Sequence, residues 1–159
     1  MQEKFQKLPL RNGVGVIVLN QNNQIFVAKR IDNPKNFWQM PQGGVDKGEG
    51  FFDAAKRELF EETSIKSVNL IKEIDGFTSY ELPDYLLGII WKGKFKGQKQ
   101  KWFIVRFFGH DSEINIKTEK PEFLEWKWIN IDNLTSVVVH FKLEVYKKLQ
   151  KELLNFVSN

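Results

Sequence analysis

The chain has no cysteine among its 159 residues, which excludes disulfides, thiolate metal centres and cysteine nucleophiles and fits a reducing compartment. No apolar run approaches the ~20 residues that a membrane-spanning helix needs. The opening Met1-Gln2-Glu3-Lys4-Phe5 lacks the basic-then-apolar layout of a secretory signal. The expectation is a soluble cytoplasmic protein with no membrane partner. Histidine is scarce, and His110 and His140 stand at no metal-ligand spacing from each other, so both are read as structural. No Gly-x-x-x-x-Gly-Lys-Ser/Thr run occurs, which argues against energy-coupled nucleotide turnover. No repeat, low-complexity tract or linker divides the chain. With 42% hydrophobic residues it is expected to form one domain over residues 1–159 with a sizeable core.

What is present is a modest positive balance, a net charge of +4, which favours anionic partners without specifying them. Its densest part lies between Trp91 and Trp102, where Lys92, Lys94, Lys96, Lys99 and Lys101 alternate with aromatic and small residues. Two readings stand side by side. Lys92, Lys94 and Lys96 guard a strand edge next to a flexible loop, or the run is a funnel for polyphosphate or RNA. Apolar runs at 14–19 and 24–30, separated by the polar turn Asn20-Gln21-Asn22-Asn23, predict two antiparallel strands. Further strands are expected at 68–77, 102–109 and 125–129. Leu143, Tyr146, Leu149, Leu153 and Phe156 recur at helical spacing within 141–156. Strands interrupted by two helices suggest an α/β sandwich with a mixed central sheet.

The segment 43–65 carries the chemistry. Gly43 is followed after five residues by Glu49, and after seven more by Arg57-Glu58-Leu59-Phe60-Glu61-Glu62-Thr63-Ser64-Ile65. On a helix, Glu58, Glu61 and Glu62 stand at i, i+3 and i+4, so their carboxylates share one face. Three like charges that close must spread into water, share protons or surround a cation, and hard oxygen donors suit Mg2+ first and Mn2+ second. Phe52, Ala55 and Leu59 bury the opposite face of a helix of about three turns. In the loop that runs from Pro34 to Gly50, Gly43-Gly44 and Gly48 allow a tight turn and close backbone approach. Arg57 is placed to tie Glu49 on that loop to Glu61 one turn ahead, a supporting role.

This spacing resembles the Nudix box, the signature of hydrolases that act on nucleoside diphosphates linked to another group. One position departs from it: Ser64 stands where the family has glycine, and a left-handed serine there would cost on the order of 1 kcal/mol without removing a ligand. The likeness continues through Trp38-Gln39-Met40-Pro41-Gln42-Gly43-Gly44, Gly97-Gln98-Lys99-Gln100-Lys101-Trp102-Phe103, Glu113-Ile114-Asn115, Pro121-Glu122-Phe123 and Phe141-Lys142. Together these resemble the branch of bacterial RNA pyrophosphohydrolases and asymmetric dinucleoside tetraphosphate hydrolases, over 11–156.

The resemblance implies a Nudix-type α/β/α sandwich with a mixed central sheet and the box as a loop-helix-loop. It makes Glu58, Glu61, Glu62 and Gly43 the metal set and brings Glu122 across the site, to bind a further ion or to deprotonate water. Arg30 and Lys101, with Lys99 beside them, would hold phosphate oxygens. Lys99 and Lys101 share a strand face, and Trp102 points the other way, as core or as a base-stacking platform. Arg11 and Phe141 match positions used around the first nucleotides, and otherwise read as a surface arginine and a helix-starting apolar residue. Tyr80 and Tyr85 sandwich a base or close the core under a loop. The implied reaction is Mg2+- or Mn2+-dependent removal of pyrophosphate from 5′-triphosphorylated RNA, leaving a 5′-monophosphate and promoting decay. The alternatives are hydrolysis of dinucleoside tetraphosphates, housekeeping of damaged nucleoside triphosphates, and a module that binds nucleotide or RNA without cleaving it. No DNA partner is expected.

Overall fold

The structure is a computed structural model that describes residues 3–32 and 35–158. Pro34, where the loop to the acidic helix is expected to begin, lies outside them. In chain order the elements are α1 (Glu3–Gln6), β1 (Leu10–Leu19), β2 (Ile25–Arg30), β3 (Gln42–Gly44), α2 (Phe51–Thr63), β4 (Val68–Glu73), β5 (Thr78–Glu81), β6 (Gly97–Phe107), β7 (Phe123–Ile129), α3 (Leu134–Val137) and α4 (Leu143–Val157). β1 and β6 run parallel from Leu10 opposite Gly97 to Leu19 opposite Arg106. Each then changes its outer partner midway. The first half of β1 pairs with β3 and its end with β2, while the first half of β6 pairs with β5 and its second half with β4. With β7 on β2, the sheet is mixed, in the order β4-β6-β1-β2-β7 with β3 and β5 in the two forks.

β1 is almost wholly apolar because both of its faces are covered. Val14, Val16 and Val18, with Phe103, Val105 and Phe107 of β6, meet Ala54, Ala55 and Leu59 of α2. Ile17 and Leu19, with Trp102 and Ile104, meet Tyr146, Leu149 and Leu153 of α4. The result is the expected α/β/α sandwich. Trp102 resolves as core: it is 1% exposed, its indole Nε1 donates to Thr78 Oγ1 at 2.9 Å, and its ring fills the space where a Cβ on Gly15 would stand.

The structure redraws several expected elements. The strand expected at 68–77 ends at Glu73, because Gly76, at φ +74°, turns the chain and Thr78–Glu81 pairs separately with the start of β6. β6 begins at Gly97 rather than 102, since Gln98 and Gln100 are buried despite being polar. β7 starts at Phe123, and α4 at Leu143 after a single 3-10 turn over His140–Lys142 that carries Phe141. The strand-edge reading of Lys92, Lys94 and Lys96 is corrected. Lys92 lies in the 3-10 turn Ile90–Gly93 and Lys94 in the loop after it, both exposed, while the Lys96 ammonium donates to Gln6 O at 3.3 Å. Among the described residues no helix is long and apolar enough to cross a membrane.

Candidate active site

α2 places the three glutamates. It starts at Gly50 without a side-chain cap, has Asp53 in its first turn where the helix dipole favours an acid, and ends at Ser64 in the left-handed region (φ 67°) with the Ser64 amide donating to Phe60 O at 2.8 Å. The Ser64 hydroxyl donates to Asn115 O at 3.0 Å. Gly43 on β3 lies directly beneath Glu58: a Cβ there would collide with the Glu58 carboxyl. Only glycine lets the loop pass that close.

Arg57 is the junction of loop and helix, as the spacing predicts. Its Nε and Nη2 grip the two oxygens of Glu49 at 2.8 and 2.9 Å, Nη2 also donates to Gly44 O at 3.0 Å, and Nη1 donates to Glu58 Oε1 at 2.8 Å and Glu61 Oε2 at 3.2 Å. The two-pronged bond from Arg57, helped by the Asp46 amide, draws the Glu49 carboxyl down to about 2. Glu49 holds a charge that holds Arg57, and Arg57 holds two of the three glutamates.

Glu62 is the third, and it differs. It is 4% exposed and its Oε2 has no hydrogen-bond partner. Burial first, then the charges of Glu122 and Glu58, push its pKa well above the ordinary carboxylate range. Burial also raises Glu58, against the pull of Arg57. Glu122, although it lies far along the chain, thus stands close enough to Glu58 and Glu62 for its charge to act on both. Among the described residues, no three acidic or histidine side chains already converge on one cation-sized gap, because Arg57 occupies the inner oxygens of Glu58 and Glu61. The donor set nevertheless fits a divalent cation: hard oxygens only, one of them buried and unpartnered, with two carboxyls whose ionised forms the protein alone disfavours.

Two cations face this acid cluster. Arg30 is clamped by Asp32 through Nε–Oδ1 at 2.7 Å and Nη2–Oδ2 at 2.8 Å, and it feels the charges of Glu122 and Glu62. Lys142, to which the sequence reading assigns no role, is 6% exposed and donates to Gln39 Oε1 at 3.3 Å. Burial, then Arg30, lowers its ammonium to about 7. The signal for Lys142 was a lysine in the first turn of an amphipathic helix on the side of its apolar stripe, which is weak evidence without the fold. Lys99 and Lys101 do share a face, but both ammonium groups stand over Phe77, at 4.5 and 5.2 Å, and Lys101 donates to Gly76 O at 3.0 Å. Their heads thus stand at the turn before β5, where the Lys101 ammonium also lies 3.8 Å from Glu73 Oε2.

On the α4 side of the sheet, Tyr80 is 7% exposed, donates to Gln98 Oε1 at 3.4 Å and meets Phe141 with tilted rings 5.8 Å apart. It closes the core beneath Phe141, whereas Tyr85 is 60% exposed, 6.5 Å from His140. Gln39, Gln42, Gln98 and Gln100 are buried as well; Gln100 Nε2 donates to Gln42 Oε1 at 3.1 Å, and Gln98 Nε2 and Gln100 Oε1 have no partner among the described residues. Arg11 packs against Gly44 and under Trp91. A groove of about 670 Å³ lies between the segment 114–117 and β7, with Trp38 also in its lining.

Residues 9–149 match the family described as the NUDIX domain, and the chain belongs to that family. Hydrolases of this family work with divalent cations. Among its curated relatives, the RNA pyrophosphohydrolase of Pelagibacter ubique is 67% identical over 158 residues, covering 98% of this chain and all of that protein. The RNA pyrophosphohydrolase of Rhodospirillum rubrum is 46% identical over 94% of this chain and 90% of its own length. Among solved structures, the E. coli dihydroneopterin triphosphate pyrophosphohydrolase superposes with a TM-score of 0.68 at 21% identity, over 92% of this chain and 99% of its own. A C. elegans Ap4A hydrolase binary complex superposes with a TM-score of 0.63 at 17% identity, over 90% and 98%. At those identities the two structures establish the fold alone.

Proposed function

We propose that the protein is an RNA pyrophosphohydrolase that uses Mg2+, with Mn2+ as a substitute, to cut the 5′-triphosphate of RNA to a 5′-monophosphate and pyrophosphate, exposing the transcript to decay. The observation that carries this reading is the near full-length 67% identity to a relative of that name, in a chain where the charges of Glu58 and Glu122 both act on buried Glu62. Glu58, Glu61, Glu62 and Glu122, with the Gly43 backbone, would hold the cation, which when bound neutralises phosphate oxygens and the charge that develops at the cut anhydride. Arg30, fixed by Asp32, and buried Lys142 would hold the outer phosphates. One carboxylate of the set takes the proton of the attacking water as oxygen joins phosphorus and the anhydride oxygen leaves with its electron pair. Arg11 and Phe141 would grip the first bases. A cytoplasmic location follows from this substrate.

The test is a comparison of kcat/KM on triphosphorylated RNA, diadenosine tetraphosphate and free nucleoside triphosphates, with pyrophosphate release followed on the RNA. RNA is expected to lead. A clear preference for the dinucleotide would reverse the ordering in favour of tetraphosphate hydrolysis, and binding without turnover of any of them would mark a binding module.

A further inference from the structure

Resting on the reading of the site as one for a nucleoside-bearing polyphosphate, we propose that Trp91 is a positioning residue: it holds the Arg11 guanidinium in place so that the enzyme selects substrates with a base next to the phosphates. Arg11 has no carboxylate partner among the described residues; what fixes it is a ring on one side and a glycine on the other. Its Cζ lies 5.4 Å from the centroid of the Trp91 ring. Its Nη2 lies 2.5 Å from where a Cβ on Gly44 would stand, so the guanidinium occupies the notch of the missing side chain. Gly44 is also the residue whose carbonyl takes Arg57 Nη2 at 3.0 Å. Arg11 is therefore seated one residue from the floor under Glu58, with its N–H donors unspent among the described residues, and close enough to Tyr80, the ring under Phe141, for its charge to act on it.

The turn that presents Trp91 is built at some cost. Trp91 and Lys92 are consecutive non-glycine residues in the left-handed region, at φ 52°, ψ 35° and φ 59°, ψ 25°. Such backbone persists only where the surroundings over-determine it, and it concentrates at working sites. Here Phe95 meets the Trp91 ring edge-on at 6.2 Å, the Lys94 amide closes the turn onto Trp91 O at 3.2 Å, and Gly93 lies tight against the Gly88 carbonyl. An indole is the strongest ring for a cation lying on its face. Half-buried, and with no hydrogen bond to another described residue, the guanidinium has N–H donors suited to the edge of an unpaired base.

The experiment compares Trp91→Phe and Trp91→Leu with wild type on 5′-triphosphate RNA and on the same RNA with its first two positions abasic. Trp91→Leu is expected to raise KM roughly tenfold on normal RNA with kcat within about twofold, and Trp91→Phe to raise it about two- to threefold. On abasic RNA the three should have equal KM, and in an Arg11→Leu background the Trp91 changes should add nothing. An unmoved KM on normal RNA, a loss confined to kcat, or the same KM penalty on abasic RNA overturns the proposal while leaving the activity intact. If Trp91→Leu does not fold, the Phe variant and its cycle with Arg11→Leu decide, and additive effects sink the idea. If wild type turns over no RNA at all, the reading of the function falls, and this inference with it.

Discussion

Glu62 on α2 faces Glu122 from the segment before β7, and burial first, then the charge of Glu122, keeps a proton on Glu62 well beyond the pH at which an ordinary glutamate loses it. A buried carboxyl with an unpartnered oxygen, set against another acid, is a group the apo-protein tolerates only at a loss in stability.

Glu62→Gln should therefore separate stability from function. With its pKa raised in the folded state, Glu62 binds its proton more tightly folded than unfolded. Stability is thus lost as pH rises from the ordinary value of 4.5 towards the raised one. Removing the ionisation should stabilise the metal-free protein at pH 7 by about 1–3 kcal/mol. Turnover should drop at least about 100-fold. Urea unfolding with chelator and a turnover assay measure the two; a destabilised, fully active variant would refute the assignment.

Gly43→Ala probes the close approach under Glu58. The added methyl would land on the carboxyl, the movable end of a side chain, so the fold should survive within about 1 kcal/mol while the carboxylate is displaced. Cation affinity, read by titration of Mn2+, should weaken about tenfold.

At Ser64 the direction reverses. Its left-handed backbone suits glycine, and its hydroxyl bond to Asn115 O is exposed. Ser64→Gly is expected to raise stability by about 0.5–1 kcal/mol with activity unchanged, as measured by thermal and urea unfolding.

Lys142 should give the protein an alkaline signature. Its ammonium titrates at about 7 when folded, against an ordinary lysine value of 10.5 when unfolded. Between those values the unfolded state binds the extra proton, so stability rises with pH across the window, by up to about 1.4 kcal/mol per unit. Comparing urea midpoints of wild type and Lys142→Met from pH 7 to 10 checks it: the slope should be present in the first and missing in the second.

The left-handed Ser64, the Arg57 junction and the shared glutamate face were legible in advance because each depends on residues within one turn of helix or one loop. The α/β/α layers followed from which runs were apolar on both sides. The heads of Lys99 and Lys101 were not legible: where a long flexible side chain ends depends on the Gly76 turn and Phe77, which sequence spacing does not place. β5 was hidden for the same reason, as the turn at Gly76 splits what reads as one strand. Buried Gln98, Gln100 and Lys142 break the rule that polar residues sit outside, and that rule is what a pattern-based reading uses.

Gly44 joins two grips at a single backbone unit. Arg57 hangs from its oxygen and Arg11 fills the space beside its α-carbon, so any shift of the strand carries both guanidinium groups with it. On the proposed reading, that shared anchor sets one fixed spacing between the phosphates and the first base.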